Sequence, residues 1–233
     1  MRKGWARRAA VALCLMALPL LLSGCTVDKA TAYDRAIATF ATGDYAAAAL
    51  AFDKVGDYEQ ATTYAAYAHG LALYEQGDFA AAEPYFAQTQ NFMYGKQRYT
   101  YCHAYVLEAA GSFAEAADTY GSLGAFEDAP LRAAYCAARD AEDLKQYDTA
   151  LYDYQAAGNY ADAPTRLSNL QNQIYFYAKD LKAQGNYGQA LELFSLLGDY
   201  LSSPQEAKEC KDYFRDQLYD QADALAAAGD LQK

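Results

Sequence analysis

Tyr74-Glu75-Gln76-Gly77-Asp78-Phe79-Ala80-Ala81-Ala82-Glu83-Pro84-Tyr85-Phe86 reads as the end of one helix, a tight turn at Gly77 and the start of a second helix. The pattern recurs along the chain. Gly43, Gly77 and Gly111 fall 34 residues apart, Lys145 stands in the glycine's place after another 34, and Gly185 and Gly229 follow after 40 and 44. A fixed period of this length marks an array of repeated supersecondary units.

Each column of the repeat has its own chemistry. Two residues after each turn comes a ring, Tyr45, Phe79, Phe113, Tyr147 and Tyr187. Three residues later comes Ala48, Ala82, Ala116, Ala150 or Ala190, and four residues on another ring, Phe52, Phe86, Tyr120, Tyr154 or Phe194. The spacing i, i+3, i+7 places the set on one helical face. An alanine between two rings lets a neighbouring helix approach closely. Upstream of each glycine a first helix carries Tyr33, Tyr67, Tyr101, Tyr135, Tyr175 and Tyr219. Three residues further on come Ala36, Gly70, Ala104, Ala138, Ala178 and Ala222, then mostly leucine (Leu73, Leu107, Leu181, Leu225). A second turn closes the unit at Gly56, Gly124, Gly158 and Gly198, where glycine is suited to the left-handed conformation that ends a helix. Pro130, Pro164 and Pro204 follow it, at positions that suit the first turn of a new helix. The expected unit is a pair of antiparallel helices, and the expected fold class is all-α.

These residues resemble the tetratricopeptide repeat, over roughly Ala30 to the C-terminus, and the copy from Tyr74 to Phe86 is nearest to that family's consensus. The resemblance implies a right-handed superhelical solenoid of about five helix pairs and a terminal helix, whose first helices line a concave groove. The departures are a lack of tryptophan after residue 24 and Arg35, His69, His103, Ala137, Tyr177 and Gln221 in place of a leucine ahead of the small residue. Beyond Ala163 the units lengthen by 6 and then 10 residues, read as extra turns on the first helices. Pro84 is expected to bend its helix by removing a backbone hydrogen bond.

Residues 1–24 read as a secretory signal. Arg2, Lys3, Arg7 and Arg8 precede an apolar run, Ala9 to Leu22, of 14 residues, short of the ~20 that span a bilayer. Leu22-Ser23-Gly24-Cys25 looks like the lipobox of bacterial lipoproteins, which implies a lipid anchor at Cys25, a short tether over 25–31 and the repeat domain over 32–233, at the extracytoplasmic face of a membrane. Taking those four cations from the nineteen leaves 15 basic against 30 acidic residues, a net charge of −15. That balance argues against nucleic acid as a ligand. At Gly229-Asp230-Leu231-Gln232-Lys233 either the last first helix caps the array or the sequence stops short of its partner helix.

Little in the sequence points to catalysis. No glycine loop precedes a phosphate-binding basic residue, and no nucleophile has a histidine at a workable spacing. His69 and His103 share one column, as do Cys102 and Cys136. Helix axes 8 to 10 Å apart place such pairs too far apart to share a metal or close a disulfide readily. They read as packing residues, and the sequence implies no cofactor, no metal and no enzyme activity.

For binding, two readings of the tyrosine ladder stay open. Tyr67, Tyr101, Tyr135 and Tyr175 either line a groove or pack between repeats, since tyrosine can bury its ring and keep its hydroxyl wet. Arg98, Arg132, Arg139, Lys179 and Lys182 flank that ladder, as a basic aromatic groove for an extended peptide or acidic terminus, or as a solvated face with local ion pairs to Glu108, Glu142 and Asp143. The sequence expectation is a non-catalytic scaffold for a protein or peptide partner. The alternative is an envelope glycan- or solute-binding lipoprotein with tyrosines stacked on sugar rings.

Overall fold

The computed structural model describes residues 28–227 and 229. The signal and Cys25 lie outside the described residues, as do Ala228 and residues 230–233. Among the described residues there are eleven helices and no strand: α1 Lys29–Ala41, α2 Tyr45–Val55, α3 Ala61–Glu75, α4 Phe79–Gln88, α5 Gly95–Ala109, α6 Phe113–Gly121, α7 Ala129–Asp143, α8 Tyr147–Ala157, α9 Ala163–Ala183, α10 Tyr187–Leu197 and α11 Ser203–Ala227. α1 begins at Lys29, three residues inside the segment expected as a tether, where Lys29-Ala30-Thr31-Ala32 contains no helix breaker.

The chain divides into two compact units, residues 1–99 and 100–233, with the boundary inside α5. In the first, α1 packs on α2, α2 on α3 and α3 on α4. In the second, each helix from α6 to α11 packs on the next. Both turns of the repeat form as expected: Gly43, Gly77, Gly111 and Gly185 have φ of 84°, 77°, 78° and 80°, and Lys145 adopts φ 58° in the glycine's place. Asp44 and Asp78 cap the second helices that follow, accepting from the Ala47 and Ala81 amides at 3.0 and 3.1 Å. Pro130 and Pro164 sit in the first turns of α7 and α9. α9 and α11 run 21 and 25 residues against 15 for α3, α5 and α7, so the insertions lengthen the first helices. Pro84 is accommodated inside α4.

Packing follows the columns. The alanines at 36, 48, 82, 104, 116, 138, 150, 178 and 190 are fully buried, as are the rings of Phe52, Phe86, Tyr120, Tyr154 and Phe194. Each such ring contributes about 1.5–3 kcal/mol by burial, and the alanines let the neighbouring helix close onto it. Gly70 marks the tightest of these approaches, because a Cβ there would lie 3.0 Å from the Phe86 ring.

Candidate functional site

The tyrosine ladder is interior packing. Tyr67, Tyr101, Tyr135 and Tyr175 are only 2, 2, 7 and 6 % exposed, so they do not line an open groove. Tyr67 meets the edges of Phe86 and Phe92, while the other three send their hydroxyls to the start of the next first helix. Tyr101 donates to Asp128, Tyr135 donates to Asp162 at 2.6 Å, and Tyr175 pairs with Ser202 at 2.6 Å, always 27 residues on. A buried hydroxyl needs such a partner, and the repeat supplies it at a fixed offset.

A second column, 24 residues across, explains most of the basic residues. Its pairs are Phe40 with Tyr64 (ring centroids 5.5 Å), Tyr74 with Arg98 (guanidinium 5.0 Å from the ring), Glu108 with Arg132 (3.1 Å), Glu142 with Arg166 (3.3 Å) and Lys182 with Glu206 (2.7 Å). The contact changes from aromatic to cation–π to ion pair, and in the last copy the ion pair is reversed. The second-helix ring follows the change. Tyr120 and Tyr154 donate to Glu108 and Glu142, whereas Phe52, Phe86 and Phe194 occur where the column holds Phe40, Tyr74 or Lys182. The hydroxyl is present only where a carboxylate accepts it.

Arg132 is the most enclosed of these cations. Its guanidinium lies 5.0 to 5.7 Å from the ring centres of Tyr101, Tyr105, Tyr120 and Tyr160. Its side chain is 12 % exposed and that of Glu108 15 %. Asp128 also pairs with it at 3.1 Å. Glu108 is fully engaged, accepting from Tyr160 at one oxygen and from Tyr120 and Arg132 at the other. Burial raises the Tyr120 and Tyr160 pKa values well above the ordinary tyrosine range, with Glu108 adding to the effect and Arg132 offsetting part of it. Lys182 is likewise satisfied, at 2.7 Å from Glu206 and 2.6 Å from Glu209, and Lys179 lies 3.5 Å from Glu206. The ion pairs expected at Glu108 and Glu142 therefore form, but inside the packing and not on a solvated face.

Arg139 differs. It lies one column along α7 from Tyr135, whose hydroxyl receives a hydrogen bond from its Nη1 at 3.2 Å, and its guanidinium covers the Phe113 ring at 4.2 Å. Among the described residues no carboxylate lies within ion-pairing distance, and its Nε is enclosed without an acceptor. The residue borders an open cleft of about 340 Å³. Tyr105, Glu108 and Ala109 of α5, Phe113 of α6, Tyr135 of α7 and Tyr160 complete the walls. The cleft offers a guanidinium donor, half-exposed tyrosines and an apolar ring, a set suited to a carboxylate with an adjoining side chain. The nearest acid, Glu108, is already neutralised by Arg132. Below the cleft, burial and Glu108 push the Cys136 thiol up to about 12, against the offsetting charges of Arg132 and Arg139, so it is held as an unreactive thiol.

The other polar candidates are structural. His69 pairs with Asp53 at 2.9 Å and stacks on Tyr85. Cys102, Cys136 and Cys210 are fully buried. No group of three or more His, Cys, Asp or Glu side chains able to hold a metal occurs among the described residues, and no described helix is long and apolar enough to cross a membrane. Sequence reasoning missed Arg166 and the fixed 24-residue pairing. The signal was there in the coincidence of Glu108 with Tyr120 and of Glu142 with Tyr154. No family model, curated protein or solved structure matches the chain.

Proposed function

We propose that this chain is a non-catalytic scaffold that holds an extended peptide segment by a carboxylate in the Arg139 cleft. The observation that carries the reading is the contrast along α7: Arg132 has two carboxylates and four rings, while Arg139, two turns away, has none of the former and opens onto a cleft. An arginine pre-ordered over a ring and hydrogen-bonded to a hydroxyl loses little freedom on taking a carboxylate. The resemblance of the repeats to tetratricopeptide repeats supports a peptide as ligand. The Leu22-Ser23-Gly24-Cys25 motif supports a lipid-tethered protein acting at the extracytoplasmic face of a bacterial membrane.

The test is binding of a random hexapeptide library, synthesised once with free C-terminal carboxylates and once as amides, to the full chain and to Arg139→Met. The reading predicts sequences that bind as carboxylates, weaken roughly tenfold or more as amides, and lose binding in the variant. Equal binding of both forms, or selective retention of oligosaccharides on a glycan array with no peptide retained, refutes it and favours the glycan-binding alternative.

A further inference from the structure

The first-helix face that is buried in every earlier hairpin with a full partner is open on the C-terminal half of α11. Tyr219, Ala222 and Leu225 occupy the columns of Tyr175, Ala178 and Leu181. The latter are 6, 0 and 6 % exposed beneath α10, whereas Tyr219 is 65 % and Leu225 51 % exposed, and Ala222 is exposed too. α11 reaches past α10: Tyr213 stacks on Tyr187 at the start of α10, and Gln217 bonds to the Gly185 carbonyl just before it. Residues beyond that point have no helix beside them among the described residues. Between the covered and open parts runs an apolar groove of about 520 Å³, with Leu191, Phe214, Leu218 and Tyr219 in its walls.

Two observations say what fits there. The same columns are covered in the second unit by helices that present ring, two residues, alanine, three residues, ring, as Tyr187, Ala190 and Phe194 do on Tyr175, Ala178 and Leu181. The turn that launches such a helix is also made, since Gly229 takes φ 79° and donates to the Ala226 carbonyl at 3.2 Å, as Gly185 does to Lys182 at 3.0 Å. We propose that the exposed face of α11 is a docking seat for an amphipathic helix of that ring–alanine–ring pattern. Asp220 and Asp223 flank the stripe without a cation in ion-pairing range among the described residues, so the occupant carries lysine or arginine beside its apolar face. The same acids disfavour an anionic lipid surface. This seat is independent of the Arg139 cleft and stands or falls without it.

The probe is a fluorescent peptide with the sequence of residues 183–200, which contains the whole of α10, extended by two lysines at its C-terminus. It is titrated against the full-length chain, with vesicles of anionic lipid and sedimentation of the chain alone in parallel. The expected result is saturable binding that weakens roughly tenfold or more with Ala222→Glu, which puts a long charged side chain into the close-approach column. A peptide with the position of Ala190 changed to Leu should lose binding equally. Leu225→Asp, also on an exposed helix surface, supplies a second variant, and unchanged helicity in both excludes unfolding. Absence of binding, binding indifferent to both variants, capture by vesicles instead, or a dimer of the chain that Ala222→Glu dissolves each overturns the proposal.

Discussion

Replacing Arg132 by methionine tests whether the 24-residue column holds the second unit together. The substitution keeps much of the aliphatic volume but leaves Glu108, 15 % exposed, among tyrosine rings with its charge uncompensated. Removing one partner of a buried pair costs about 3–5 kcal/mol, against about 0–1 for a pair on the surface. In a domain of this size each kcal/mol corresponds to about 2–4 °C in the melting temperature. Urea denaturation followed by circular dichroism and tyrosine fluorescence measures the loss. The chain also contains its own repair. Exchanging Glu108 and Arg132 alone should not restore stability, because a glutamate in place of Arg132 would face Asp128 and the Tyr120 hydroxyl would lose its acceptor. Transplanting all four residues of the reversed copy (Glu108→Lys, Tyr120→Phe, Asp128→Ser and Arg132→Glu) should return to within about 1 kcal/mol of the parent, the scale of a volume-conserving swap. A cost below about 1 kcal/mol for Arg132→Met, or a two-residue exchange as stable as the four-residue transplant, refutes the reasoning.

Gly95→Ala should destabilise the first unit by about 3 kcal/mol or more in urea, since a Cβ would lie 1.9 Å from the Thr89 carbonyl oxygen and backbone must move. Lys145→Gly should stabilise by about 0.5 kcal/mol, the left-handed penalty of a side chain slightly exceeding the entropy glycine adds to the unfolded chain. Tyr101, Tyr120, Tyr154 and Tyr160 are raised above the ordinary 10.0 by burial and by adjacent carboxylates. The stability they confer is complete below pH 10 and is lost as the pH rises beyond it, so tyrosinate absorbance should appear together with unfolding and not before it. At the acid end, desolvation of Asp162 is outweighed by the Tyr135 hydrogen bond and the Arg166 charge, which lower it from 3.8; its contribution is intact above that value and disappears below it, detectable as a pH-dependent urea midpoint that Tyr135→Phe flattens.

Most of the fold was legible in the sequence because a hairpin array writes its packing once per period. The alanine columns, the glycine turns and the lengths of α9 and α11 follow from spacing alone. The direction of Tyr101 and its counterparts did not follow, because a tyrosine at a helix position is equally suited to a wet groove and to a buried site, and only the Asp128 and Asp162 acceptors one hairpin away decide it. Glu59, Met93, Glu127, Ala161 and Leu201 all take positive φ in the second turn, between 47° and 49°. Residues of such different chemistry carry no common signal, and tertiary packing imposes that conformation. The candidate site was legible only in part: Arg139 stood out as a cation in an acidic chain, but nothing in its neighbours distinguished it from Arg132, whose partners come from 24 residues back and 4 residues back along two different elements.

That distinction, one arginine committed to the packing and its neighbour left for a ligand, is the core of the account. Nuclear magnetic resonance of isotope-labelled arginine side chains, recorded while a carboxylate-terminated peptide selected on the chain is added, tests it directly. The prediction is that the Arg139 Nε–H resonance shifts with saturation while that of Arg132 stays where it is and remains protected from solvent exchange. An unresponsive Arg139, or an Arg132 that moves with it, contradicts the account.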